Sequence, residues 1–225
     1  QKNIQVAEVN TSPNTVPGST PVQNGPFIGE AFETPMKSYL VSDTAGTILA
    51  GKNIDTSLSP ASLVKVMTAY QVLKDDVSIS TNIAFDPKKH GVDSAFRIAP
   101  GEKIRNERLL YALLVSSLNT PARILASQTN VSESAFIDQM NATAKAWGLK
   151  KTSFDDITGI SSENTTTARE FLLLYRQVTK DATLRDILGM KSYTYTEVVD
   201  RDGQPNHSDT HSNELTANTT LPYTI

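Results

Sequence analysis

Apolar and polar residues first fall into a regular pattern at residue 38. Two short alternating runs, 38-SYLVSD-43 and 47-TILAGK-52, predict a pair of strands. The turn 43-DTAG-46 joins them, with Gly46 able to supply a positive φ. The loop 56-TSLSP-60 follows, and Pro60 is placed to open a helix. From about Ala61 to Leu73 the apolar residues Leu63, Val66, Met67, Tyr70 and Leu73 recur at helical spacing. Residues 75–101 keep no period and predict a loop-rich stretch, ending in 97-RIAPGEK-103. Helical spacing resumes in 105-RNERLLYALLVSS-117 and breaks at Asn119, Thr120 and Pro121; Pro121 opens a further helix through about Gln128. A long helix is predicted over 132–148, with Ser132 as N-cap and Gly148 as its stop. Another starts near Thr166 and runs to about Lys180. Alternation returns in 192-SYTYTEVV-199, Asp202-Gly203 predicts a turn, and a polar stretch leads to the last residue. Strands at both ends with helices between predict one mixed α/β domain, its sheet assembled from distant parts of the chain.

Residues 1–36 stand apart. Pro13, Pro17, Pro21, Pro26 and Pro35, with Gly18, Gly25 and Gly29, lie among Asn, Ser and Thr. Such a composition buries too little to pack a core and predicts a linker or extended arm, leaving 37–225 as the folded domain. The whole chain is 38% hydrophobic and 20% charged, so a real core is within reach. Its net charge of −3 gives no electrostatic reason to seek nucleic acid or an anionic membrane. There is no cysteine, which excludes a disulfide framework, a thiolate zinc site and a cysteine nucleophile, and fits an oxidising compartment. No apolar run approaches the ~18 residues of a membrane helix. The first residue is Gln1 rather than Met, so the expectation is a processed or trimmed form whose signal peptide has been removed.

The candidate chemistry sits in 59-SPASLVKVMTAY-70. Ser62 and Lys65, three apart on a helix, share one face. If Ser62 lies in the first turn, its backbone N–H has no partner within the helix. A hydroxyl, a base and an oxyanion donor then fall within four residues, the parts of an acyl-transfer site. The lysine must be neutral to act as base, and burial or a second cation would favour that form. The spacing alone is weak: 21 serines and 13 lysines in 225 residues make about one S-x-x-K by chance, and one is present. An amphipathic helix with a surface lysine is the plainer reading of the tetrapeptide taken by itself. His207 and His211, four apart around Asp209, have a metal-site spacing, but neither a helical pattern nor a third ligand accompanies them. His90 falls in a polar loop, and the adjacent Asp155 and Asp156 read as turn or cap residues. No metal and no cofactor is expected.

The context of Ser62 changes the weighing. The segment 59-SPASLVKVMTAY-70 resembles the P-A-S-x-x-K-[ILMV]-M-T-A segment of the D-alanyl-D-alanine carboxypeptidases, the low-molecular-weight penicillin-binding proteins. The likeness continues in order along the chain. The stretch 38–62 resembles the family's opening hairpin, although Ala45 stands where Ser or Thr is usual. The blocks 98-IAPGEKI-104, 109-LLYALLVSSLNTPARILA-126, 136-FIDQMNATAKAWGLKKTSF-154 and 158-TGISSENTTTARE-170 are similar to successive family segments. Together they are specific, and they cover roughly 38–224.

The resemblance implies a β-lactamase/DD-peptidase-like α/β (α+β) fold, an antiparallel sheet flanked by a helical cluster. It implies Ser62 as nucleophile and Lys65 as the group that takes its proton. Ser117 and Asn119 match the S-x-N motif, the hydroxyl relaying a proton to the leaving amine and the amide holding Lys65 and the substrate's peptide carbonyl; read without the family, Ser117 is a helix C-cap. Leu118 fills a position where the family has a small residue, which would narrow the cleft, and Thr120 replaces a common Asp. The third motif, K-[ST]-G, is not in these 225 residues: 151-KTS-153 and 191-KSY-193 do not fit it. Two expectations follow. Either a segment carrying K-T-G belongs to a longer protein and the sheet here is incomplete, or this is a truncated, non-catalytic wall-binding or scaffolding relative. The implied substrate is the D-Ala-D-Ala end of a peptidoglycan stem peptide, with β-lactams as covalent ligands and a location in the bacterial cell envelope, periplasmic or extracytoplasmic. A β-lactamase or a transpeptidase shares the first motif.

Overall fold

The computed structural model describes residues 35–92, 96–201, 203 and 206–213. The predicted arm over 1–36 lies outside them except for Pro35 and Met36, as does Asp202 of the predicted turn. Six strands and seven α-helices follow one another among the described residues: β1 (Tyr39–Ser42), β2 (Ile48–Lys52), α1 (Val64–Lys74), β3 (Asn82–Ala84), α2 (Pro87–His90), β4 (Lys103–Arg105), α3 (Asn106–Leu114), α4 (Asn119–Ala126), α5 (Glu133–Ala146), α6 (Ala168–Val178), α7 (Ala182–Leu188), β5 (Ser192–Thr196) and β6 (Asn206–Thr210). A single 3-10 turn, Ala61–Leu63, leads into α1.

Helix α1 is the centre of the molecule and packs on α3, α4, α5 and α6. Met67, Ala69 and Val72 are completely buried on it, facing Leu109, Leu110 and Leu113 of α3 and Ile124 and Leu125 of α4. Each large apolar side chain so enclosed contributes about 1.5–3 kcal/mol. The helix starts follow side-chain chemistry. Ser132 Oγ accepts from Ala135 N at 3.2 Å and opens α5, Thr167 Oγ1 accepts from Glu170 N at 3.1 Å and opens α6, and Asp181 Oδ1 accepts from Leu184 N at 3.0 Å and opens α7. Caps of this kind are worth about 1 kcal/mol each.

The strands form antiparallel pairs, β1–β2, β3–β4 and β5–β6. The expectation of one sheet joining the two ends of the chain is corrected here: among the described residues no ladder links β1–β2 to β5–β6. The C-terminal half reaches another pair instead, through a bridge between Lys103 on β4 and Val199. In β5–β6, Thr194 pairs with Ser208, Tyr195 with His207 and Thr196 with Asn206. Alternation buries Tyr193 and Tyr195 and turns Thr194 and Thr196 outward.

Candidate active site

The predicted helix over 61–73 divides at its start. Ala61 takes a left-handed conformation, φ +49°, which costs a non-glycine residue about 1–2 kcal/mol. The 3-10 turn it opens leaves Ser62 exposed, and α1 proper begins at Val64. One turn further on, Lys65 is buried, with only 2% of its surface accessible. Its Nζ donates to Ser62 Oγ at 2.9 Å and to the Thr158 carbonyl at 2.8 Å. Ser62 thus presents its hydroxyl to solvent on one side and to an enclosed amine on the other. Its backbone N–H has no hydrogen-bond partner among the described residues, as the first-turn position requires.

The second acceptor for Lys65 comes from a loop, residues 155–164, that is built around two side chains. The Asp156 carboxylate accepts from the backbone N–H groups of Thr158 (3.2 Å), Gly159 (2.6 Å), Ile160 (2.9 Å) and Ser161 (3.1 Å), from Thr158 Oγ1 (3.0 Å) and from Asn164 Nδ2 (3.0 Å). Burial works against the charge on Asp156, yet the donors from Gly159, Ser161, Asn164 and Thr158 outweigh it and hold the pKa below the usual carboxylate value. Completely buried Asn164 closes the loop, its Oδ1 accepting from Asp155 N at 2.8 Å and its Nδ2 donating to Ser161 O at 2.9 Å.

Three contacts fasten this loop to the serine turn. Thr68, one turn beyond Lys65, donates to Ile157 O at 2.8 Å, so α1 grips two consecutive carbonyls. Leu58 and Thr166 exchange backbone hydrogen bonds just ahead of the turn. Gly159, φ +87°, lies so close that a Cβ there would stand 1.9 Å from Ala61 O and 2.9 Å from Ser62 N. Glycine is required at this place by both its conformation and its neighbour.

Ser117 and Asn119 occupy the bend between α3 and α4, both of which pack on α1. Ser117 has φ +60° and Asn119 is the first residue of α4. The C-cap of α3 is Val115, so Ser117 is not the cap that it resembles without the family context. Leu118 packs against the hydrophobic core, and its N–H donates to Ala112 O at 3.1 Å. The bend is held from outside by β5 and the segment after β6: Ser212 N donates to Val115 O at 2.7 Å, and Ser116 Oγ to Tyr193 Oη at 3.2 Å.

The histidines go to separate places. His207 Nε2 meets Glu197 Oε1 in a buried pair beneath the stacked Tyr195 ring, while His211 Nδ1 accepts from Asn213 N at 2.9 Å. Asp209 bonds Arg97 at 2.7 Å. His90 is a buried residue whose ring packs on Phe85; burial, then the nearby Lys89, pushes its pKa down. Glu102, Glu197 and Asp200 bring carboxylate oxygens within 4.8 Å of one another. Glu102 is engaged by the N–H groups of Ala99 and Arg201, and Glu197 by His207, so this group fastens the 197–201 segment over β4.

Sequence reasoning brought Ser62 and Lys65 together and missed Thr158, Gly159 and Asn164. Asp156 is the turn residue that its sequence predicts and, beyond that, the hub of the loop that holds Lys65. A legible signal exists: an Asp two residues before Thr-Gly is an Asx-turn pattern, and its carboxylate does bond Thr158 N.

A buried amine bonded to an exposed hydroxyl beside a free first-turn N–H is the arrangement of a lysine-assisted serine acyl-transfer site. Comparison with known proteins gives the family. Residues 29–221 match the family Peptidase S11, D-alanyl-D-alanine carboxypeptidase, and the chain belongs to that family. It is 28% identical over 152 residues to the D-alanyl-D-alanine carboxypeptidase DacF of Bacillus subtilis, covering 65% of this chain and 39% of that one. It is 35% identical over 142 residues to a D-alanyl-D-alanine endopeptidase of Pseudomonas aeruginosa, covering 61% and 45%. A solved mutant of the Streptomyces K15 DD-transpeptidase superposes with TM-score 0.71 at 26% identity, over 81% of this chain and 76% of that one. The matched parts are therefore less than half the length of the two curated relatives.

Proposed function

We propose that the protein carrying this chain is a serine-type D-Ala-D-Ala carboxypeptidase of the cell envelope that acts on peptidoglycan stem peptides. Ser62 Oγ adds to the carbonyl of the D-Ala-D-Ala bond while its proton passes to Lys65 Nζ. The Ser62 N–H is one donor to the resulting oxyanion. Ser117 relays a proton to the leaving amine, Asn119 holds the substrate's peptide carbonyl, and the terminal D-alanine departs. Water then hydrolyses the Ser62 ester. A β-lactam offers the same carbonyl in a ring, so its leaving group stays attached and the ester persists. The substrate's terminal carboxylate calls for a cation, which in this reading comes from a K-T-G segment that the 225 residues do not contain.

One observation carries the reading: the 2.9 Å hydrogen bond from buried Lys65 to exposed Ser62. Incubation of the protein with a fluorescent penicillin tests it. Covalent label on Ser62, lost in Ser62→Ala, is the expected result. Absence of label on the folded protein sinks the reading. Release of D-alanine from a stem pentapeptide, without a dimeric product, separates hydrolysis from transfer to an amine.

A further inference from the structure

A cavity of about 580 Å³ lies away from the Ser62–Lys65 pair, between the start of α3 and the outward face of β5–β6. Arg105 and Arg108 form one wall; Thr194, Thr196, Asn206 and Ser208 line the other, and among the described residues no carboxylate lines it. That is a local charge of opposite sign to the chain's net −3. We propose that this cavity binds an acidic peptide.

The argument rests on unused donors. The Arg105 guanidinium has no hydrogen-bond or ion-pair partner among the described residues. Arg108 has a loose one, Glu107 Oε2 at 3.7 Å, and otherwise lies over the Tyr111 ring at 5.0 Å. A guanidinium offers five N–H donors in a planar fork matched to a carboxylate. Opposite them, the register sets Thr194 beside Ser208 and Thr196 beside Asn206. Thr196 Oγ1 donates to Asn206 Oδ1 at 2.9 Å, so the amide oxygen is engaged and the N–H₂ remains as a donor. The Thr194 and Ser208 hydroxyls have no partner among the described residues. The lining thus carries two guanidinium groups, hydroxyls that can donate or accept, and no carboxylate among the described residues, which favours an anion. Its volume lies in the range of sites for small organic ligands, well above what one inorganic ion fills. Carboxylates spaced along a peptide satisfy both requirements, with the peptide groups on the threonine, serine and asparagine side.

This site is separate from the acyl-transfer site. It lies at the first turn of α3, and the Ser117 bend lies past its last, about 13 Å along the axis for nine residues. The test uses the full chain carrying Ser62→Ala, so that no ligand is consumed. A blocked tripeptide with two glutamates is titrated calorimetrically at low salt, beside its diglutamine counterpart and inorganic phosphate. Binding of the diglutamate peptide is expected, weakened about tenfold or more by Arg105→Gln with Arg108→Gln, weakened by salt, and unchanged by restoring Ser62. Amide shifts at Thr194 and Ser208 on adding the peptide place it independently of any substitution. The proposal fails if the peptide does not bind, if the double substitution leaves affinity unchanged, if the diglutamine peptide or phosphate binds as tightly, or if the shifts fall around Ser62 instead. Penicillin labelling in an Arg105→Gln, Arg108→Gln protein that retains Ser62 is expected to be unchanged, so failure here and failure of the acyl-transfer reading are distinct results.

Discussion

Two bends carry the four residues proposed for catalysis, and they are held in place by different means. Each contains a non-glycine residue in the left-handed region, Ala61 before Ser62 and Ser117 before Asn119. Each is fastened by a segment that comes later in the chain. The first is clamped by a polar loop in which the Asp156 carboxylate binds the loop's own backbone N–H groups and two carbonyls are offered to α1. The second is clamped by aromatic packing, Tyr111 against Tyr193 and Tyr193 against Tyr195, with few hydrogen bonds at its edge. Hydrogen bonds to a charged group are directional and strong, whereas ring contacts tolerate small shifts. The lesson is that the nucleophile's bend is fixed in orientation, and the second bend chiefly in position.

Substitutions on the first clamp should therefore cost more than those on the second. The largest effect is expected at the reacting group itself: Ser62→Ala abolishes penicillin labelling, while removing one acceptor of buried Lys65 costs only about 1 kcal/mol in thermal unfolding. Gly159→Ala comes next. Its added methyl meets the backbone at Ala61, and displacing the bend by about 1 Å lowers the labelling rate by about a hundredfold, with a measurable loss of stability in urea.

Asp156→Asn leaves several loop N–H groups short of acceptors and is expected to destabilise by about 1.5–3 kcal/mol in chemical unfolding. Its pH dependence checks the cause. The folded pKa of Asp156 lies below its reference value of 3.8, so its contribution is present above that value and is lost as pH falls through it towards the folded pKa. The variant's stability should accordingly fall less steeply than that of the parent on acidification below pH 3.8. An acid limb of equal slope in both would break the comparison.

The smallest effect is expected from Tyr193→Phe, which removes the hydroxyl between Ser116 and Asp209 but keeps the ring. A loss of about 1 kcal/mol, with labelling changed by less than threefold, is the outcome to check by thermal unfolding and penicillin kinetics. A larger kinetic effect there would show that the second bend, too, is fixed in orientation.

Elements with a strong period were legible: α1, α3, α5, α6 and the β1–β2 hairpin all stand within a few residues of where their patterns put them. Those without a period were not. Strands β3 and β4 are three residues each, too short for alternation to register. Strand β6, 206-NHSDT-210, has no aliphatic residue at all; pairing with β5 and the contact of His207 with Glu197 hold it. Helix α7 does carry Leu184, Ile187 and Leu188 at helical spacing behind the Asp181 cap, but its seven residues are too few for the period to register. In the site, Ser62 and Lys65 were visible because one helical turn joins them. The loop of 155–164 was not, because its contact with α1 spans about ninety residues of sequence and depends on main-chain atoms, which no side-chain pattern reports.

The two hydrogen bonds of Lys65, to Ser62 and to the Thr158 carbonyl, also bear on how far that amine can travel. Hitched to main chain on its far side, it swivels rather than swings, so any proton it receives is delivered close to where it was collected. In the proposed reaction the amine therefore hands its proton on over a short path, and a relay such as the Ser117 hydroxyl has to cover the remaining distance to the departing group.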